Sequence, residues 1–240
     1  MFRMSKFGTL YLVPVTLGDD NIASVLPANV VATVQKLDTF IVESEKSARH
    51  FLSTIKTLKP VRELSLNLLN EHTEDKDLAA LLKPLLAGID VGLMSDAGCP
   101  GVADPGAKLV ALAHQKNIKV VPFVGPSSIL LSLMASGLNG QQFAFLGYLP
   151  VDKLARNLKL REIEKRSFTH KETQIFIETP YRNQHMLEAL LTTCQPNTKL
   201  CVACDISLST ELITTKTIAS WKQSPMPDLH KRPTVFLLLA

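Results

Sequence analysis

The chain has 240 residues, of which 46% are hydrophobic and 20% are charged, and its formal net charge is +4. This balance excludes an intrinsically disordered or fibrous chain, and the length suffices for one large domain or two modest ones. The four cysteines are too few and too unevenly spaced for a disulfide framework, and the apolar stretch at residues 9–17 is short and interrupted by Pro14. We therefore expect a cytoplasmic protein without a signal peptide or membrane span.

The first half of the chain alternates short apolar segments with amphipathic ones. The apolar segments predict β-strands at residues 10–15, 39–42, 61–66, 91–94 and 119–124. The amphipathic segments predict helices at residues 28–36, 46–55, 77–86 and 108–115. This alternation predicts a layered α/β domain with a parallel sheet.

The fourth predicted strand ends abruptly in a segment of turn-forming residues, 95–106. Asp96 lies at the end of the strand, and Gly98 and Gly101 prevent a helix or a strand from continuing, so the segment must be an irregular loop. Asp104, followed by proline, then supplies an N-cap oxygen for the next helix. Open α/β sheets bind small molecules at such a junction, and an ordinary turn with solvated acids is the alternative.

The residue order of this loop excludes two phosphate-binding motifs. A P-loop needs Lys directly after its second Gly and then Ser or Thr, whereas Ala107 precedes Lys108 and Leu109 follows it. The dinucleotide fingerprint G-x-G-x-x-G is absent as well. These differences disfavour nucleoside triphosphates and NAD as ligands.

A second turn of the same kind follows the fifth predicted strand. Residues 125–128, Gly-Pro-Ser-Ser, predict a turn with hydroxyl caps before an apolar helix at residues 129–136. The turn is not a nucleophile elbow, because Ile129 stands where that motif requires glycine. The sequence thus predicts two adjacent loops that line one crevice, without a hydrolase serine.

The second half of the chain predicts another sheet. Its strands are expected at residues 143–148, 173–177, 199–204, 212–218 and 234–239. The last connections are too short for helical crossovers, so this sheet should be mixed. The boundary should fall near Phe123, which divides the chain into domains at residues 1–122 and 123–240.

The net positive charge is concentrated in residues 151–171, which contain seven basic and three acidic residues. This segment predicts a helix with a narrow apolar stripe formed by Leu154, Leu158 and Ile163. RNA phosphates would suit such a helix. A solvated, salt-bridged surface helix is the alternative, because a net charge of +4 is weak support for nucleic-acid binding.

The cysteines do not indicate a metal site. Cys201 and Cys204 spell C-x-x-C, but they lie in an apolar, strand-like run, and no second pair completes a zinc site. We therefore expect buried thiols and no bound metal.

Several segments, in this order and with sensible spacing, resemble the tetrapyrrole methylase superfamily. They are Ser-Asp-Ala-Gly-Cys-Pro-Gly-Val-Ala-Asp-Pro-Gly at 95–106, Val-Gly-Pro-Ser-Ser at 124–128, Ser-Gly-Leu at 136–138, Gly-Tyr-Leu-Pro at 147–150 and Glu-Thr-Pro-Tyr-Arg at 178–182. Within the superfamily, the chain is most similar to the ribosomal small-subunit RNA (cytidine-2'-O)-methyltransferase branch, as a paralogue. The resemblance implies a parallel N-terminal α/β domain and a C-terminal α/β domain, a cleft between them that binds S-adenosylmethionine (SAM), and a homodimer.

Carried over position by position, the resemblance implies cofactor contacts from both domains. These positions are Asp96, Gly98, Gly101, Val102, Ser127, Ser128, Ile177, Ala203 and Thr234. Residues 13–19 resemble the first loop of the family, which borders the substrate.

The acceptor side departs from the RNA-methylating branch. That branch has an acid pair followed by Thr-Arg, whereas residues 43–46 here are Glu-Ser-Glu-Lys, and its His-Glu-His-Asn-like segment becomes Asn-Glu-His-Thr-Glu at residues 70–74. Glu43 or His72 is the candidate to accept a proton from an acceptor hydroxyl, and Lys46 with Arg49 is expected to position an anion. A solvated first helical turn after the second strand is the alternative.

The resemblance implies that the chain is a SAM-dependent methyltransferase for ribosomal RNA or a related RNA hydroxyl. Methyl transfer from a sulfonium is an in-line displacement, so such an enzyme mainly aligns its reactants. The altered acceptor segment leaves two alternatives: methylation of a small anionic or tetrapyrrole-like molecule, and a catalytically silent module that only binds SAM.

Overall fold

The chain divides into two compact units, Met1–Ser127 (unit 1) and Ser128–Ala240 (unit 2). The computed structural model describes residues 7–18 and 21–240, except for the side chain of Asp75. Asp19, at the end of the predicted first loop, lies outside the described residues. The division falls slightly after the position expected from the sequence. Phe123 explains this shift, because its ring stacks on Tyr11 and its backbone N–H donates to Leu12 O at 3.0 Å.

Unit 1 contains a five-stranded sheet. Its strands are β1 (Thr9–Leu12), β2 (Thr39–Val42), β3 (Ser65–Leu68), β4 (Val91–Met94) and β5 (Lys119–Pro122). They are arranged in the order β3-β2-β4-β1-β5, and every neighbouring pair is parallel. The predicted parallel α/β architecture is therefore confirmed.

Helices cover both faces of this sheet. They are α1 (Ile22–Val25), α2 (Ala28–Val34), α3 (Glu45–Thr54), α4 (Asp75–Leu81), α5 (Lys83–Leu86) and α6 (Gly106–Gln115). Neighbouring residues of a strand point to opposite faces, so Phe40 packs in a cluster with Leu52 while Ile41 packs in a second cluster with Leu109. Every residue of β2 and β4 is buried, and burial on both faces explains why these strands are almost entirely apolar.

The predicted strands at residues 10–15 and 119–124 end earlier, at Leu12 and Pro122, and two further predicted elements of unit 1 are wrong in type or continuity. The strand expected at residues 61–66 begins as a 3-10 turn at Val61–Glu63, because this segment follows Pro60 and carries two exposed charged side chains, and β3 starts only at Ser65. The helix expected at residues 77–86 is broken into α4 and α5, since Pro84 has no N–H to continue the helical hydrogen bonds.

Unit 2 contains a second five-stranded sheet. Its strands are β6 (Phe143–Tyr148), β7 (Thr173–Ile177), β8 (Lys199–Cys204), β9 (Leu212–Thr217) and β10 (Thr234–Leu239). Their order is β6-β7-β10-β8-β9; β6 and β7 pair in parallel, and the other pairs are antiparallel. The predicted mixed sheet is confirmed.

Four helices accompany this sheet, and the sequence patterns did not predict the last two. They are α7 (Ser128–Ser136), α8 (Lys153–His170), α9 (Asn183–Thr193) and α10 (Ile218–Lys222). Residues of α8, α9 and α10 share one hydrophobic cluster with Phe176 and Phe236 of the sheet. The indole N–H of Trp221 in α10 donates to Leu200 O at 2.9 Å, which ties that short helix to β8.

The stripe predicted for α8 is wrong. Leu154 and Leu158 are 70% and 57% exposed, and only Ile163 of the predicted stripe is buried. The buried face instead consists of Arg156, Leu160, Ile163, Glu164 and Ser167. These residues are spaced as one face of a helix. Because two of them are charged, a pattern based on apolar residues does not identify this face.

Within the described parts of the chain, no helix is both long and apolar enough to cross a membrane.

Candidate functional site

The loop between β4 and α6 follows the predicted irregular path. Gly98, Gly101 and Ala103 have positive φ angles of 69°, 84° and 60°. Glycine adopts this left-handed conformation without the steric cost that a Cβ imposes, so the two glycines set the shape of the loop. Val15 N donates to Gly98 O at 2.9 Å, which fixes the loop against the segment that follows β1.

Asp104 holds both ends of this glycine loop. Its Oδ1 accepts hydrogen bonds from Gly101 N at 2.9 Å and Gly106 N at 2.7 Å, and its Oδ2 accepts from Gly101 N at 2.8 Å. Helix α6 begins at Gly106, so Asp104 lies one position before the formal N-cap and still satisfies the first N–H of the helix. Burial raises the pKa of the Asp104 carboxyl above its usual value, and the backbone N–H groups oppose that shift.

The two glycines at the end of the loop have different surroundings. A Cβ on Gly106 would lie 2.8 Å from Asp104 Oδ1 and 3.1 Å from Leu93 Cδ2, so packing requires glycine there. A Cβ on Gly101 would meet nothing within 4 Å. The backbone at Gly101 therefore borders open space that a ligand can approach closely.

A cavity of about 440 Å³ lies in unit 1 beside the start of this loop. The residues around it come from the segment after β1, from α3 and from the end of β4. Its polar lining residues include Thr16, Lys46, Ser47, His50, Ser95 and Asp96.

Glu43 and Asp96 are neighbours because the strands before them are neighbours. β2 and β4 pair Val42 with Met94, so both strands deliver an acid to the same edge of the sheet. The Glu43 carboxylate accepts the Asp96 backbone N–H at 3.1 Å, whereas the side chain of Asp96 is exposed. Glu43 is half-buried next to the cavity and is not one of its lining residues.

The environment of Glu43 favours its protonated form. Burial is the largest cause that raises the pKa of its carboxyl, and the charges of Asp96, Asp104 and Glu71 raise it further. The hydrogen bond from Asp96 N acts in the opposite direction. A carboxylate with a raised pKa is a stronger base than an ordinary glutamate, which suits a proton acceptor.

The structure separates the other predicted acceptor-side residues. Lys46 lines the cavity, and so does His50, one helical turn further along α3. Arg49 is turned toward Glu45, at 2.9 Å, and donates to Val61 O at 3.3 Å. The His72 side chain is 84% exposed beside Glu71 and is not a lining residue of the cavity. The sequence motifs did not single out His50, although its four-residue spacing from Lys46 was a signal.

Three of the predicted cofactor positions lie together in unit 2. Ile177 ends β7, Ala203 is the last residue but one of β8, and Thr234 begins the antiparallel β10. Val235 pairs with both Ile177 and Ala203, so the three positions occupy one edge of this sheet. Ser128 is the first residue of α7, and Ser127 is the last residue of unit 1.

A buried polar cluster directly follows Ile177. The Glu178 carboxylate is fully buried and accepts hydrogen bonds from Arg182 Nη2 at 2.6 Å and Thr179 N at 2.7 Å. Glu178 Oε2, Arg182 Nε and Asn183 Oδ1 are buried without a hydrogen-bond partner among the described residues. Such unmatched polar atoms are costly, so this edge of the sheet is suited to a polar ligand.

The cysteines and acids do not form a metal centre in the described part of the chain, where no three His, Cys, Asp or Glu side chains are grouped to hold an ion. Cys194, Cys201 and Cys204 are buried free thiols, as predicted, and Cys99 is half-buried. Burial raises the pKa of all four thiols, that of Cys194 to about 12.

A glycine loop at the carboxyl end of a parallel sheet is characteristic of the ligand sites of open α/β proteins. The chain belongs to the tetrapyrrole (corrin/porphyrin) methylase family, whose model matches residues 9–221. It is therefore a member of a methyltransferase family, as the motifs predicted.

Curated relatives carry a more specific name, ribosomal RNA small subunit methyltransferase I. The protein of that name from Vibrio cholerae is 34% identical over 208 residues, which cover 85% of this chain and 67% of the relative. The one from Halalkalibacterium halodurans is 31% identical over 186 residues, covering 77% of this chain and 60% of the relative. The one from Xylella fastidiosa is 28% identical over 236 residues, covering 98% and 82%. The chain thus spans about two thirds or less of the first two relatives.

Solved structures support the fold. The methyltransferase CobJ superposes with a TM-score of 0.65 at 17% identity, covering 97% of this chain and 94% of that one. Uroporphyrin-III-C-methyltransferase from Thermus thermophilus superposes with a TM-score of 0.56 at 15% identity, with the same coverage. At these identities the likeness concerns the fold alone.

Proposed function

We propose that this protein is a SAM-dependent methyltransferase that modifies small-subunit ribosomal RNA or a related RNA hydroxyl. The observation that carries the proposal is the similarity to relatives named for that activity, at 34% identity for the Vibrio cholerae protein. The glycine loop and the acid pair at the end of the parallel sheet supply a site of the kind that the activity needs. A cytoplasmic homodimer is part of the proposal, in line with the family resemblance and the ribosomal substrate.

The residues present fit the proposed cofactor. SAM carries a cationic sulfonium and an amino group, and Asp96 offers an exposed carboxylate beside Gly98, Gly101 and Val102. The open space at Gly101 lets the backbone approach a ligand. In unit 2, the unmatched polar atoms at Glu178 and Arg182 adjoin the predicted contact at Ile177. When bound, SAM supplies the electrophilic methyl group.

The chain's own residues then have two tasks toward the acceptor. Lys46 and His50 hold an anionic group of the acceptor, since both line the unit 1 cavity. Glu43 takes the proton from the acceptor hydroxyl, since its raised pKa makes it a stronger base than an ordinary glutamate. His72, exposed on the loop after β3, is the alternative proton acceptor.

Methyl transfer to fractionated cell extract tests this proposal. Extract from a strain that lacks the protein is separated into ribosomal subunits, other RNA, protein and small molecules, and each fraction is incubated with the enzyme and methyl-labelled SAM. We expect label in the small ribosomal subunit. Label confined to the small molecules would refute the RNA assignment.

Matched variants assign the residues. Glu43→Gln should lower the rate by roughly 100-fold or more if Glu43 is the base, while His72→Gln leaves it within about twofold. Asp96→Ala should weaken SAM binding in calorimetry, and Lys119→Ala, an exposed residue of β5, serves as the control. If His72→Gln abolished transfer and Glu43→Gln did not, the roles would be exchanged.

A small anionic or tetrapyrrole-like acceptor is the second candidate. Its support is the segment at residues 43–46, which differs from the RNA-methylating branch. Glu45 of this segment pairs with Arg49, and Lys46 lines the cavity. Label in the small-molecule fraction would favour this candidate. SAM binding without methyl incorporation in any fraction would instead identify a silent binding module.

A further inference from the structure

A groove of about 650 Å³ lies in unit 2, on the surface of α8. It shares no lining residue with the unit 1 cavity. Its lining residues include Arg161, Lys165 and Phe168 of α8 and Gln195, Asn197 and Thr198 of the segment that joins α9 to β8. The groove thus combines two cations, an aromatic ring and amide groups.

Four cations of α8, between residues 159 and 166, fall into two groups. Lys159 pairs with Glu162 at 2.7 Å, and Arg166 pairs with Glu172 at 2.8 Å. Arg161 and Lys165 are exposed, and neither forms an ion pair with any described residue. They lie four residues apart, so both point to the same side of the helix. Unlike the paired cations, they remain available to an external anion.

The floor of the groove is preformed by a buried acid. The Glu164 carboxylate is 7% exposed and accepts hydrogen bonds from Gln195 N at 2.7 Å and from the Thr198 hydroxyl at 2.5 Å. These bonds fix the segment after α9 against α8. Glu164 lines the groove but is buried, whereas Arg161 and Lys165 are exposed, so the side-chain charges at the surface of α8 in the groove are those of the two cations.

Phe168 gives the groove a stacking surface. Its side chain is 64% exposed, although an aromatic residue of this size would normally be buried. The Lys171 ammonium lies 4.3 Å from the ring centroid, so a third cation adjoins Phe168, although it is not a lining residue of the groove. Exposed aromatic rings among cations are how proteins bind single-stranded nucleic acid without strict sequence preference.

We propose that this groove binds a single-stranded RNA segment. Arg161 and Lys165 contact successive phosphates, Phe168 stacks on a base, and the Gln195 and Asn197 amides hydrogen-bond to base edges or sugars. The proposal rests on the proposed function in taking RNA as the substrate class, and it adds a contact surface remote in sequence from Glu43 and Asp96. An acidic peptide would use the cations but would not need the ring.

RNA binding by groove variants tests the proposal. The probe is a fluorescein-labelled single-stranded RNA of about 12 nucleotides, a length within the range that single-strand binding sites span, followed by anisotropy at several salt concentrations. The slope of log K for RNA binding against log salt concentration should become shallower by about 1.4 in the double variant Arg161→Gln/Lys165→Gln, because each single-strand phosphate contact contributes about 0.7. Phe168→Ser should weaken binding by about 5- to 150-fold, the value of one lost stacking contact.

The control is Lys153→Gln/Lys222→Gln, which removes the same charge from exposed residues of unit 2 that do not line the groove. It should bind RNA within about threefold of the wild-type protein, because neither residue contacts the probe in the groove. All substituted side chains are exposed, so the melting temperatures should agree, and SAM binding by calorimetry should be unchanged in every variant.

The possible outcomes are distinct. The proposal is supported if the groove variants lose RNA affinity and the control variant does not. Wild-type RNA affinity in those variants overturns it and leaves the methyltransferase function standing, while a protein that methylates a small molecule and binds no RNA overturns both. If polyglutamate competes fully and Phe168→Ser has no effect, the groove binds acidic peptides and the RNA proposal is wrong.

Discussion

Asp104→Ala should loosen the glycine loop of unit 1. The substitution removes the acceptor for the backbone N–H groups of Gly101 and Gly106, and Gly106 is buried. A hydrogen bond to a charged group contributes about 1.5–3 kcal/mol, and water can partly replace the bond at the half-buried Gly101. We therefore expect the free energy of unfolding to fall by about 2–4 kcal/mol.

Asp104→Asn separates the role of the charge from that of the oxygen. Burial raises the pKa of the Asp104 carboxyl, while the hydrogen bonds from backbone N–H groups lower it, so the two effects on the charged form oppose each other. The Oδ1 of an asparagine can accept from both Gly101 N and Gly106 N, but its Nδ2 donor would replace the Oδ2 that accepts Gly101 N at 2.8 Å. The Asn variant should therefore lose about 1–2 kcal/mol, which places it between the Ala variant and the wild-type protein.

Urea denaturation monitored by two probes measures these differences. Far-UV circular dichroism follows both units, while Trp221, the one tryptophan of the chain, reports on unit 2. The loss of stability in Asp104→Ala should appear in the part of the circular-dichroism transition that reports the unfolding of unit 1. The affinity for SAM should fall as well. Equal stabilities of the Ala and Asn variants, or no loss in either, would refute the reasoning.

Buried groups elsewhere in the chain give three more expectations. Because the fold raises the pKa of Glu43, ionising this carboxyl destabilises the fold, so its contribution to stability is complete below its ordinary pKa of 4.5 and is lost as pH rises through the folded-state pKa. Glu43→Gln should therefore melt higher than the wild type at about pH 7 and equally near pH 4, and a lower melting temperature at neutral pH would contradict this. Phe176→Ala removes a fully buried ring stacked on Phe236 and should cost about 3–5 kcal/mol by Trp221 fluorescence in denaturant, whereas a loss under about 1 kcal/mol would show that the core refills the space. A thiol reagent at about pH 8 should modify only Cys99 in the native protein and all four cysteines after unfolding; rapid reaction of a second thiol in the native state would show that a buried cysteine becomes exposed.

Much of the fold could be predicted from the sequence because five of the strands are almost entirely buried. The predicted bounds of β2, β4, β7, β8 and β10 agree with the structure, since a strand covered on both sides is apolar at most positions. The segment at residues 61–66 has no such run. Pro60 and two charged side chains form a turn there before the strand begins.

Helix α8 shows where hydropathy patterns fail. Glu164 is buried because it accepts hydrogen bonds from the segment after α9, and that segment is distant in the sequence. A pattern that counts only apolar residues therefore selected Leu154 and Leu158, which are exposed. Tertiary hydrogen bonds decided which side of this helix faces the core.

Only the local part of the candidate site could be predicted from the sequence. Local turn chemistry identified the glycine loop and Asp104, since both depend on residues within one short segment. The hydrogen bond between Glu43 and Asp96 joins residues 53 positions apart in the chain. It depends on β2 and β4 being neighbours in the sheet, and the apolar pattern of the strands does not specify their order.

The central place of β10 in the second sheet has a consequence for synthesis. Unit 1 is complete in sequence by Ser127, so its parallel sheet can form while the rest of the chain is still being translated. Unit 2 cannot, because its last strand separates the β6–β7 pair from the β8–β9 pair. Until residues 234–239 leave the ribosome, each pair presents an unsatisfied edge, and the nascent chain is most prone to aggregate at this stage.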